Sequence, residues 1–215
     1  MSNDKIIIYQ LLPRLYGNRN TTRKENGSIS DNGCGKFNDL TASVLKSIWQ
    51  KGATHVWFTG VIRHATKTDY SAHGIPVNHP AIVKGNAGSP YAITDYYDVD
   101  PDLAEDVDSR MAEFEALVAR AHKSRLGVII DFVPNHVARQ YVSLCKPKGV
   151  HDLGADDNQE QGFNPQNNFY YCPGCSFEPY LDLYAGTAEP YHEEPAKATG
   201  NDHFDHKPGQ NDWYE

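Results

Sequence analysis

Basic residues are in the minority in this 215-residue chain, where 20 Lys and Arg stand against 28 Asp and Glu for a formal net charge of −8. Nucleic-acid binding draws most of its affinity from clustered lysine and arginine, and no basic stripe runs along the sequence, so no nucleic-acid partner is expected. Long apolar runs are missing as well. None approaches the ~20 residues that cross a bilayer, and the opening MSNDKIIIYQ lacks the apolar core of a secretory leader. The expectation is a cytoplasmic protein with no membrane partner. Cysteine is scarce: Cys34, Cys145, Cys172 and Cys175 are too few and too uneven for a disulfide framework and are expected to be reduced thiols.

What is present is packing material. Hydrophobic residues make up 39% of the chain, with thirteen tyrosines and three tryptophans, enough for a sizeable core, while a mean hydropathy of −0.63 leaves much polar, loop-rich surface. Residues 5–12, KIIIYQLL, form a β-branched run stopped by Pro13 and read as a strand buried on both faces. Leu40, Val44, Leu45 and Ile48 then recur at helical spacing, with Asn38 or Asp39 available as the cap and Gly52 past the end. The pattern repeats with a strand over 54–61 and a helix carrying Val107, Met111, Phe114, Leu117, Val118 and Ala121 on one face, followed by a third strand over 127–131. Strands that are almost wholly apolar and alternate with amphipathic helices indicate an α/β fold with parallel pairing.

The loops are asymmetric. Helix-to-strand returns near residues 51–53 and 125–127 are tight, whereas the connection from Thr59 to Glu105 far exceeds the usual ~2–6 residues. Long loops at the carboxyl ends of parallel strands place function there. After His136 the texture becomes irregular, rich in Asn, Asp, Gly, Pro and His, with no further apolar run that reads as a buried strand. Three strands leave exposed edges, so the sheet is expected to be unfinished.

The stretch GVIIDFVPNH ends the third strand by presenting Asp131, Asn135 and His136, with Pro134 stiffening the exit. DFVPNH resembles the first signature region of the α-amylase family of glycoside hydrolases, family 13. IIIYQLLPRLYGN, GCGKFNDLTASVLKSIWQKGATHVWFTGV and SPYAITDYYDVDPDLAED, in that order, are similar to the segments that precede it there. The resemblance implies a (β/α)8 TIM barrel, of which residues 1–136 would supply strands one to three, with an irregular domain B insertion over 137–215. It implies that Asp131 orients an arginine following strand four, that His136 bonds the sugar in the cleavage subsite, and that Tyr91 stacks on that sugar. Asn135 falls where many members hold a structural calcium ion. Arg63 and His64, just past the second strand, are candidate pocket residues, Arg63 as a substrate ligand. The expected partner is an α-glucan or oligosaccharide, for which flat aromatic faces and dense hydrogen-bonding side chains are suited.

Pro90 stands where the family usually has glycine, Ala92 where aspartate is frequent and Ala104 where glycine is common, which bears on substrate and subfamily. Retaining hydrolysis needs two carboxylates about 5–5.5 Å apart; the family's nucleophilic aspartate and acid glutamate follow strands four and five, and no GFRxD-like stretch occurs. The chain is therefore expected to be inactive alone. Two other readings stand beside this one. The first is a non-catalytic relative that binds sugar or a partner. The second is a zinc module built from Cys172, Cys175, His203 and His206, whose spacing departs from the usual finger pattern.

Overall fold

A computed structural model describes residues 5–179, 189–199 and 206. The elements in chain order are β1 (Ile8–Leu11), α1 (Pro13–Tyr16), α2 (Ile29–Asn32), α3 (Ala42–Gln50), β2 (His55–Phe58), β3 (Ile62–His64), β4 (Ile93–Val99), α4 (Arg110–Lys123), β5 (Gly127–Ile130), β6 (Tyr171–Cys172) and β7 (Ala196–Lys197). The three strands expected from apolar runs are β1, β2 and β5, each shorter than its run, but β1 is not buried on both faces: Ile8 is 48% exposed and Leu11 alone of its residues is buried. They form one parallel sheet in the order β1-β2-β5.

Register divides the sheet into two faces. Tyr9, Val56 and Val128 lie side by side, as do Leu11, Phe58 and Ile130, and neighbours in parallel register share a face. Val56 and Phe58 join Leu45 and Ile48 of α3 with Leu117 and Ala121 of α4 in the main core. Burial of such side chains stabilises the fold by about 1.5–3 kcal/mol each. Ile130 is 39% exposed despite its helix-side position, because β5 is an edge strand among the described residues. On the opposite face, Gln10, Trp57 and Ile129 are neighbours. Gly127 pairs with His55, and a Cβ there would lie 2.3 Å from the His55 ring, which is why this strand opens on glycine.

One expected cap and the extent of one expected helix are corrected. The cap of α3 is Thr41, whose hydroxyl accepts from the Val44 N–H at 3.3 Å, because residues 37–39 are taken up by a 3-10 turn. Likewise Val107 sits in a 3-10 turn, and α4 begins only at Arg110. The long connection after β2 is not structureless: β3 and β4 pair antiparallel within it, with register shifts on both sides of Arg63. Beyond residue 137, β6 and β7 make a two-residue antiparallel pair. Neither pair showed a run of alternating apolar residues long enough to read from sequence. Among the described residues no helix is long and apolar enough to cross a membrane.

Candidate functional site

Asp131 follows the last residue of β5. It lies two positions past Ile129, the register partner of Trp57, and therefore on the same face as that indole, away from α3 and α4. Trp57 Nε1–H donates to Asp131 Oδ1 at 2.5 Å, and the Gly60 N–H donates to Oδ2 at 3.0 Å. Two neutral donors thus supply the hydrogen-bonding partners that this carboxylate needs. Gly60 has φ +73°, and a Cβ there would lie 2.9 Å from the Pro90 Cβ. Only glycine turns the chain here without strain and lets Pro90 close in. Pro90, the departure noted in the sequence, is the residue that meets this glycine.

Pro90 leads directly into Tyr91, and Tyr91 meets His136. The imidazole is half-buried, and burial pushes its pKa below the ordinary histidine value while a hydrogen bond to the Tyr91 backbone acts the other way. Its Nε2 is buried and has no hydrogen-bond partner among the described residues. The Tyr91 ring is 38% exposed. One continuous path, Asp131 to Gly60 to Pro90 and Tyr91 to His136, therefore joins three of the residues singled out from sequence.

Tyr96 of β4, which sequence reasoning missed, holds the exit loop in place. Its hydroxyl is within hydrogen-bonding distance of the Val133 carbonyl, and 3.1 Å from the His136 carbonyl. Its ring packs against Phe132 and Tyr141 at centroid distances of 5.4 and 5.9 Å. Both carbonyls flank Pro134-Asn135, so the loop is clamped at each end of that pair. The only sequence signal was the aromatic doublet Tyr96-Tyr97.

Arg63 is buried and, with His64, lines a small cavity of about 20 Å³. Its side chain is 4% exposed, lies 3.4 Å from the Asp95 carboxylate and 3.7 Å from that of Asp98, and donates to the Val142 carbonyl. Arg110 of α4 takes Asp98 in a two-pronged pair, both bonds 2.8 Å, and Asp95 accepts from Ser143 Oγ at 2.6 Å and the Leu144 N–H at 2.8 Å. A buried guanidinium requires such partners, and the cluster ties β3, β4, α4 and the segment after His136 together. His64 is buried beside it, with its ring nitrogens 3.3 and 3.2 Å from the Ile62 and Ala87 carbonyls and Nε2 3.6 Å from Asp100.

For a calcium ion, Asn135 is the candidate ligand. That side chain is exposed and offers one neutral oxygen, whereas calcium takes six to eight oxygens. The converging donors among the described residues are Asp95, Asp98 and Cys145, and both carboxylates already face arginines. The zinc reading fares similarly. Cys172 and Cys175 form no disulfide and belong to no group of three His, Cys, Asp or Glu ligands among the described residues, and His203 lies outside them.

The sequence model described as "Alpha amylase, catalytic domain" matches residues 14–169. Maltase 1 of Drosophila virilis is 24% identical over 190 residues, covering 87% of this chain and 24% of that protein. The chain thus spans about a quarter of the length of this curated relative. Among solved structures, a maltogenic alpha-amylase from Thermotoga neapolitana is 28% identical, with a TM-score of 0.41 over 63% of this chain and 25% of the other. A trehalulose synthase variant is 19% identical, with a TM-score of 0.44 over 79% and 22%.

Proposed function

We propose, from the premise that this chain belongs to the alpha-amylase family, that it forms the amino-terminal part of a (β/α)8 barrel which cleaves or transfers α-glucosidic bonds with retention. In this reading His136 Nε2 hydrogen-bonds a hydroxyl of the sugar at the scissile bond, Tyr91 offers its ring to the C–H face of the same sugar, and Asp131 organises the carboxyl end of the third strand. The observation that carries the reading is the unpartnered Nε2 of His136 beside Tyr91. A buried ring nitrogen without a partner costs free energy in the empty protein, and a ligand hydroxyl relieves that cost.

The burial-lowered pKa fits the same role. A neutral imidazole at neutral pH can accept from a sugar hydroxyl through one nitrogen while the other donates to the backbone. Asp131 is already engaged by Trp57 and Gly60 and serves as a frame for the loop, not as a nucleophile. The two carboxylates of retaining chemistry would come from strands four and five of the complete barrel, so the 215-residue chain binds substrate in part and turns nothing over. The uncovered face bearing Gln10, Trp57 and Ile129 and the open edge at Ile130 support that requirement for further strands.

The test is maltotriose titration of the isotope-labelled chain followed at the His136 ring and Tyr91 signals, with a parallel assay of maltotriose hydrolysis. Saturable shifts of both signals, abolished in His136→Ala and Tyr91→Ala, are expected, with no sugar released. Shifts that persist in both variants overturn the site assignment, and robust turnover overturns the proposed division of the catalytic groups.

A further inference from the structure

We infer that a second binding site, for the phosphate ester of a saccharide, lies between α3 and the turn that follows α4, at the amino ends of the strands and so opposite the site around His136. A cavity of about 410 Å³ there is lined by Ala42, Lys46, Trp49, Lys123, Ser124 and Arg125. This inference does not rest on the glucosidic reading.

Ala42, Lys46 and Trp49 are spaced four and three residues apart on α3 and form one stripe along it. The other wall is the turn after α4. Three cations line the cavity and no carboxylate does among the described residues, in a chain whose net charge is −8. Trp49 is 37% exposed, and the Arg125 guanidinium carbon stands 5.2 Å from its ring centroid.

A simpler account is that lysine and arginine at a helix carboxyl end offset its partial negative charge. That account covers Lys123 but not Lys46, which lies in the middle of α3. Nor does it cover the residue type at Arg125. The turn is a Schellman closure, with the Leu126 N–H bonded to the Ala121 carbonyl at 3.0 Å and the Arg125 N–H to the His122 carbonyl at 2.9 Å. Arg125 has φ +65°, a left-handed position for which glycine is the best residue. An arginine is held there against backbone preference and aimed over an exposed indole.

The chemistry of the lining selects the ligand. A guanidinium and two ammonium groups match a doubly charged phosphate better than a single carboxylate. The remaining indole face suits the C–H surface of a pyranose, and the volume falls in the range of small-molecule sites. Phosphate and sugar are thus both contacted, and neither alone fills the site.

The experiment is titration of the isotope-labelled 215-residue chain with glucose 6-phosphate, inorganic phosphate and glucose, read at the indole N–H of Trp49, which loss of one signal in Trp49→Phe assigns among the three tryptophans. Glucose 6-phosphate is expected to bind about tenfold more tightly than inorganic phosphate, glucose not at all, and added salt to weaken binding. Arg125→Gly, whose backbone favours the left-handed turn and so keeps the fold, is expected to weaken glucose 6-phosphate binding about tenfold while its thermal melt is unchanged or higher. Absence of saturable binding, equal affinity for inorganic phosphate and glucose 6-phosphate, or unchanged affinity in folded Arg125→Gly would each overturn the inference.

Discussion

Trp57 and Asp131, 74 positions apart in sequence, are joined by a 2.5 Å hydrogen bond from the indole N–H to the carboxylate across the β2–β5 pair. This bond fixes the direction in which the third strand hands the chain to the loop bearing His136. A hydrogen bond to a charged group contributes about 1.5–3 kcal/mol, and Asp131→Ala is expected to destabilise the chain by about that amount. Urea denaturation measures the loss, and the Trp57 indole proton should move upfield in the variant. An unchanged midpoint and chemical shift would mean that the bond does not form in solution.

Gly60 supplies the other donor to Asp131 from a backbone conformation with φ +73° and Pro90 at close range. Gly60→Ala adds both left-handed strain and a clash with a rigid ring, for an expected cost of about 1–3 kcal/mol. Combining Gly60→Ala with Pro90→Gly should recover the steric part alone, which a double-mutant comparison of unfolding free energies resolves.

His136 has a pKa below the ordinary histidine value because it is half-buried. In the acid window just below the unfolded value of about 6.5, the unfolded chain binds more protons at this residue than the folded one. The stability this residue contributes is therefore present above that value and is lost as pH falls toward the lowered folded pKa. NMR titration of the ring should give a midpoint under 6.5, and His136→Gln should flatten the stability profile across that interval.

Asp95 anchors a buried cluster in which Arg63, Ser143 and the Leu144 N–H converge on one carboxylate. Removing one partner of a buried ion pair leaves the other charge unpaired, so Asp95→Ala is expected to cost about 3–5 kcal/mol. Replacing both members, Arg63→Met with Asp95→Leu, should recover part of that loss in the same denaturation assay. A double variant no more stable than Asp95→Ala alone would show that Ser143 and Leu144, not Arg63, account for the cost.

The parallel sheet and its two covering helices were legible in the sequence, because an apolar run or a 3.6-residue stripe records locally which face will be buried. Element ends were less legible. Thr41 rather than Asn38 or Asp39 caps α3 because a 3-10 turn uses the preceding residues, a competition among neighbours that propensity alone does not rank. The β3–β4 pair escaped notice because its strands carry Arg63, His64, Asp95 and Asp98 where alternating apolar residues would mark a strand.

For the candidate site, the sequence by itself determined which residue types stand at the carboxyl end of the third strand, and the family to which Asp131, Asn135 and His136 belong. Tertiary structure decided their partners: Trp57 and Gly60 for Asp131, the Tyr91 backbone for His136, Tyr96 for the loop between them, and a carboxylate cluster for Arg63. The physical reason is that covalent order sets a side chain's chemistry and local face. Which distant groups it meets depends on strand register and on the path of long loops, and those are settled only when the core closes.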